Sequence, residues 1–236
     1  MSPRARTIVL ALAAGLALAD ASIVTLALPE ILVRLDTTVE GVAAVIGVYA
    51  LVLALALVPI ERLQRSRGPA TVGTVGMVVF GLASLVCGLG SSLPLLLAGR
   101  AVQALGGAAT LIAVFALLEA GHADERGHAR RLWLGAAVLS TAIGPALGGA
   151  LTQLLDWRAI FIFQTPIALG AAWFCWGATR TATAASPRTP AAGGPRWTTA
   201  PVVALALVSA ALTAVLFLLV LLLVAGWSVN PLRAAL

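Results

Sequence analysis

The 236-residue chain has no lysine, only two cysteines, and a charged fraction of just 10%. Each shortage excludes something. All 15 basic residues are arginine, so the chain holds no Gly-Lys-Ser/Thr loop of the kind that cradles a nucleotide phosphate; "GGAAT" (106–110) lacks the lysine. Cys87 and Cys175 both lie in apolar segments, and two such residues make neither a disulfide framework nor a metal spacing. They read as small hydrophobic side chains. The two histidines, His122 and His128, share the segment "GHADERGHARR" (121–131) with no third ligand nearby, which is a solvated loop rather than a metal centre. No nucleophile–base set is present, so the reading is not an enzyme, with no cofactor and no metal. The scarcity of charge also argues against a soluble domain, where about 25% of residues are charged.

What is there is apolar. Hydrophobic residues make up 61% of the chain, more than so short a soluble protein could bury. They fall into seven spans, roughly 7–28, 39–58, 70–90, 93–119, 132–155, 157–178 and 200–226. Each meets the ~20 residues that a helix needs to cross ~30 Å of hydrocarbon. The runs are continuous, without period-2 alternation, so helices are expected rather than a barrel. The fold class is therefore all-α, a polytopic membrane protein. Ala17-Leu18-Ala19 mimics a signal-peptidase site, but apolar sequence continues to Leu28, and a retained helix is the better reading.

The net charge of +6 reflects arginines gathered on one membrane face, not nucleic-acid binding. With the N-terminus cytoplasmic, the inner segments hold Arg4, Arg6, Arg62, Arg65, Arg67, Arg126, Arg130, Arg131, Arg180, Arg188 and Arg196. The outer segments hold only Arg34, Arg158 and Arg233, and Arg100 lies within a span. This bias places the N-terminus inside, in a multi-pass protein of the cell inner (plasma) membrane. "TRTATAASPRTPAAGGPRW" (179–197) reads as a flexible cytoplasmic linker. The domains expected are thus a six-helix bundle over 1–178, a linker over 179–199, and a first helix of a second unit over 200–236. The ending "SVNPLRAAL" resembles the first turn of another helix, as if the chain were incomplete.

Three polar residues stand out inside the spans. An aspartate at membrane depth costs ~2.5–3.5 kcal/mol, so Asp20 must face a partner or a water-filled cavity. Low dielectric disfavours its charged form, which suits a group that takes up and releases protons; a structural ion pair is the competing reading. Arg100 cannot lose its proton in practice, and Gln103, three residues on, projects from the same helix face. The fifth span carries helix breakers. There Ala136, Ser140, Gly144, Gly148 and Thr152 recur every four residues, forming a small-residue stripe that admits a neighbouring backbone. Pro145 frees the Thr141 carbonyl and permits a bend.

Together these stretches resemble the major facilitator superfamily, and within it the multidrug/proton antiporters of 12 or 14 helices. "LADASIVTLALPEI" (18–31) resembles the first-helix signature, and "GRAVQALGGAA" (99–109) the fourth-helix Arg-x-x-Gln motif, with Ala104 where the family usually has Gly. "IGPALGGALTQLLDWRAIFIFQTPI" (143–167) resembles the fifth-helix Gly-Pro-x-x-Gly-Gly motif and the start of the sixth helix, with Gln164 where Asn is common. "LFLLVLLLVAGWSVNPLRAAL" (216–236) resembles the helix that opens the second half.

The resemblance implies a bundle of 3+3 inverted repeats and proton-coupled export of small amphipathic organic compounds, with the lipid bilayer as surroundings. Asp20 would carry the proton; Arg100 and Gln103 would tune it or line the polar path. Gly144, Pro145, Gly148 and Gly149 would set close packing between the fifth helix and a neighbour in the other half. The cytoplasmic loop between the second and third helices departs from the family. In "ERLQRSRGPATVGTVGMVVF" (61–80), aligned on Gly68, Gly76 and Phe80, Glu61 replaces a Gly, and Arg65 replaces the Asp thought to latch the cytoplasmic side. The resemblance therefore implies an altered gate, rebuilt around Arg65 and Glu61. Alternating access also needs a second bundle, from a homodimer or from a missing C-terminal half. The alternatives are a non-transporting fragment and a membrane scaffold or sensor that keeps the fold.

Overall fold

Proline and glycine decide where the helices stop. The computed structural model describes residues 3–119 and 123–182, with Val215, Leu218, Leu219 and Leu222 beyond them. Among these residues every regular element is a helix: α1 (Pro3–Thr25), α2 (Leu28–Arg34), α3 (Val39–Arg67), α4 (Pro69–Leu89), α5 (Leu93–Glu119), α6 (Ala123–Leu154) and α7 (Arg158–Ala182). Most of the expected linker and of the seventh span lie outside the described residues, as do His122 and the side chains of His128 and Cys175.

The first span is broken at its C-terminal end. Pro29 has no N–H to offer the Thr25 carbonyl, so α1 stops at Thr25 and α2 restarts with Pro29 in its first turn. Thr38 caps α3, its hydroxyl accepting the Gly41 N–H at 3.2 Å. At the other end, the expected loop over 61–68 is largely absent. α3 runs on through Glu61 and Arg65 to Arg67, and Gly68 alone separates it from α4. Gly68 has φ +82°, a conformation costly for a residue with a Cβ, and Pro69 then starts α4.

Four described helices are long and apolar enough to cross a membrane: Ile8–Thr25, Val39–Arg67, Pro69–Leu89 and Leu93–Leu117. In α6 a shorter apolar stretch covers Val138–Leu154. Large apolar side chains face outward along these helices, Leu55 at 68% exposure and Val138 at 70% among them. Such a surface suits hydrocarbon rather than water.

Small residues bring the helices together. α4 packs mainly on α5 and α7, α1 on α6, and α3 on α5. A Cβ on Gly106 would lie 2.5 Å from the Phe80 amide nitrogen and 2.6 Å from the Gly76 carbonyl oxygen, so α4 and α5 meet backbone to backbone. α1 and α6 meet in the same way. A Cβ on Gly144 would collide with Ser22, and one on Gly148 with the Ile23 carbonyl. Gly144 and Gly148 thus pack within the bundle, against α1. Periodicity shows that small residues share a face but does not name the helix that covers it. Gly149 is buried and Pro145 half-buried within α6.

Candidate functional site

The two larger of three apolar clusters among the described residues lie at different levels along the bundle. One contains Ile23, Val45, Cys87, Leu96 and Phe161. The other contains Ala17, Tyr49, Phe80, Ala104 and Ala168. On α4, α5 and α7 the sequence passes from one cluster to the other through polar residues, Ser84, Arg100 with Gln103, and Gln164, and on α1 Asp20 lies beside the change between Ala17 and Ala19. The polar side chains thus form a layer between two apolar ones. Asp20, Ser84, Arg100 and Gln103 are each 0% exposed.

The contacts within this layer are dense. Arg100 Nη1 donates to Asp20 Oδ2 at 2.5 Å and to Gln103 Oε1 at 2.6 Å, and Arg100 Nε donates to the Val45 carbonyl at 3.3 Å. Among the described residues, Arg100 Nη2 has no hydrogen-bond acceptor. The guanidinium lies 4.1 Å from the Tyr49 ring centroid and 5.8 Å from that of Phe161, so aromatic faces stabilise the charge there. The Tyr49 hydroxyl is itself tied down, donating to the Ala17 carbonyl at 3.1 Å. Gln103 Nε2 lies 2.8 Å from Ser84 Oγ, 3.0 Å from Gln164 Oε1 and 3.2 Å from Asp20 Oδ1. Gln164 Nε2 donates to Asp20 Oδ1 at 3.0 Å. A buried carboxylate is costly unless paired and hydrogen-bonded, and Asp20 has an ion-pair partner and two amide donors.

Asp20, Arg100 and Gln103 therefore meet, as their cost in an apolar span suggested. Gln164, Ser84 and Tyr49 were not among the candidates. A glutamine inside an apolar span is itself a signal of unmet hydrogen bonds. Ser84 leaves no such signal, because its hydroxyl satisfies itself on the Phe80 carbonyl at 2.8 Å. The remaining candidates lie elsewhere. Glu61 and Arg65 sit four residues apart on exposed helix and pair with each other at 2.7 Å, so they form a surface ion pair rather than part of the buried layer. Among the described residues no group of acidic, cysteine or histidine side chains has the arrangement of a metal site.

A second polar junction closes the opposite end, where α2 meets the α6–α7 turn. Glu30 Oε2 accepts the Trp157 N–H at 3.1 Å, and Arg34 pairs with Glu30 at 3.4 Å. Arg158 Nη2 donates to the Gly90 carbonyl at 3.3 Å, and its guanidinium lies 4.5 Å from the Trp157 ring centroid. Partial burial pushes the Glu30 carboxyl above the usual carboxylate range, and the neighbouring Asp156 adds to this against the Trp157 N–H and Arg34.

The sequence profile of the Major Facilitator Superfamily matches residues 10–236. The chain belongs to this superfamily. Among similar proteins, the methylenomycin A resistance protein of Bacillus subtilis strain 168 is 36% identical over 166 residues, which is 70% of this chain and 36% of that protein. The multidrug resistance protein Stp of Mycobacterium tuberculosis is 34% identical over 150 residues, covering 63% of this chain and 28% of that protein. A solved bacterial homolog of the human lysosomal transporter Spinster, in an inward-facing and occupied conformation, shares the fold with a TM-score of 0.64 at 19% identity. That match covers 80% of this chain and 46% of the other. This major facilitator chain thus spans about a third of the length of such curated relatives and about half of the solved neighbour. The family is one of membrane transporters, not enzymes, and the chain is a multi-pass membrane protein.

Proposed function

We propose that this major facilitator chain forms one bundle of a secondary active transporter that exports small amphipathic organic compounds in exchange for protons. The observation that carries the reading is Asp20: a carboxylate 0% exposed, between two apolar clusters, joined to two other helices, α5 through Arg100 and Gln103 and α7 through Gln164. Relatives named for methylenomycin A resistance and for multidrug resistance support export of organic compounds. Proton binding at Asp20 removes the charge that holds the layer together, and proton release restores it. That is how a change of protonation can bias a conformational equilibrium.

The N-terminus lies in the cytoplasm in this reading, since arginines crowd the inner segments. Two inverted helix triplets, α1/α3/α4 and α5/α6/α7, account for the packing of α1 on α6 and of α3 on α5: exchanging the triplets turns each pairing into the other. A second bundle, from another part of the protein or from a second copy, completes the substrate path. In the assembled transporter, Asp20→Asn should abolish efflux driven by a proton gradient in membrane vesicles. Efflux that keeps its full pH dependence in Asp20→Asn would remove the proton role. A second reading, a purely structural ion pair, is favoured by the number of hydrogen bonds that Asp20 accepts. On that reading Asp20→Asn weakens the fold and leaves the pH profile unchanged.

A further inference from the structure

The hydrogen bonds around Asp20 have a direction. Arg100 is a donor at every nitrogen, so its bond to Gln103 Oε1 turns the Gln103 amide nitrogen toward Asp20 and Gln164. Gln164 Oε1 then accepts from Gln103 Nε2, and this turns Gln164 Nε2 onto Asp20 Oδ1. The arginine thus orients two neutral amides in series. Among the described residues, every polar side chain that touches the Asp20 carboxylate is a donor: Arg100, Gln103 and Gln164. The titratable or charged groups facing it are Arg100 from α5, Tyr49 from α3 and Cys87 from α4. α7 brings the uncharged Gln164, and α6 meets this part of α1 through Gly144 against Ser22.

Such a shell suits a carboxylate and leaves a carboxylic acid without a side-chain acceptor among the described residues. When hydronium gives its proton to Oδ1, an O–H bond forms, water leaves and the negative charge disappears. The new hydrogen then points at donors, so one of them has to withdraw. Arg100 is held by Val45 and Tyr49, and Gln103 by Arg100 and Gln164. The Gln164 amide nitrogen is held by Asp20. Rotating the Gln164 amide in place would bring its nitrogen against that of Gln103, donor against donor.

We infer that Gln164 is the positioning residue that holds Asp20 in its charged form and must leave it on proton uptake, so that protonation opens the contact between α1 and α7. This rests on the proton role proposed for Asp20. The fold favours the same seam. α7 is fastened to α4, with Thr165 Oγ1 donating to the Gly81 carbonyl at 3.1 Å, whereas α1 packs chiefly on α6.

The test is an infrared titration of the Asp20 carboxyl in lipid nanodiscs, its band assigned by loss in Asp20→Asn. Gln164→Leu removes one donor from the charged form, so the midpoint should move to higher pH, with proton affinity rising about tenfold or more. Ser84→Ala disturbs the same network without touching Asp20 and should shift the affinity less than about threefold. Spin labels on Leu12 of α1 and Trp173 of α7, both exposed, should report a pH-dependent distance change in the otherwise unaltered protein, and Gln164→Leu should abolish that change. A Gln164→Leu midpoint within threefold of the unaltered protein overturns the inference even if Asp20 titrates normally. Equal shifts in Gln164→Leu and Ser84→Ala overturn it too. If no band is lost in Asp20→Asn, the proton role itself fails, and this inference with it.

Discussion

Arg100→Met is the most informative single change at the buried layer. It removes the 2.5 Å bond to Asp20, the 2.6 Å bond to Gln103, the bond to the Val45 carbonyl and the stacking on Tyr49. Asp20 keeps two amide donors but loses its counterion in a site with no solvent exposure. Breaking one side of a buried pair costs about 3–5 kcal/mol, mostly because the other charge is left uncompensated. Asp20→Asn should cost a similar amount, since Arg100 then remains charged. The two variants differ in one respect. Asp20 can take up a proton when Arg100 is gone, so the Arg100→Met penalty should shrink as pH falls. The Asp20→Asn variant itself has no such relief, because Arg100 stays charged at every accessible pH. The double variant removes both charges and should be less destabilised than either single one. Reversible unfolding in bicelles, run as a double-mutant cycle, measures the coupling. If the double variant costs the sum of the singles within about 0.5 kcal/mol, the pair is not energetically coupled and the reasoning fails.

Two further predictions concern packing and the Glu30 junction. Gly148→Ala should force α1 and α6 apart, because the new Cβ meets the Ile23 backbone, its carbonyl carbon only 3.0 Å away. A loss of about 1–3 kcal/mol is expected in the same unfolding assay, against no loss for Gly170→Ala, where nothing lies within 4 Å. Glu30 has its carboxyl raised by folding, so the folded state holds its proton more tightly than the unfolded one. That contribution is fully present below the ordinary value of 4.5 and is lost as pH rises through the folded value. Glu30→Gln should therefore unfold at the same temperature as the unaltered protein at low pH and at a higher one at neutral pH. Equal melting temperatures throughout would remove the titration argument.

Much of this molecule follows from the sequence alone. Seven long apolar runs without alternation can satisfy their backbones in a membrane only as helices, and six of the seven expected spans correspond to described helices. The cost of burying a charge marked Asp20 and Arg100, and helical spacing set Gln103 beside Arg100. Tertiary structure decided the rest. Asp20 and Gln164 lie 144 residues apart, and no local pattern tells a polar side chain which helix will face it. Ser84 bonds to its own turn, so its part in the layer has no separate energetic trace in sequence. The stripe at Gly144 and Gly148 was legible as a surface, but that it meets α1 depends on which backbone can approach it. Glu61 and Arg65 stay helical because α3 runs on past Pro59 and stops only at Gly68, and only the fold shows them paired with each other on an exposed helix. Sequence period and burial cost say which side chains require a partner; the partner itself is chosen by how the helices cross.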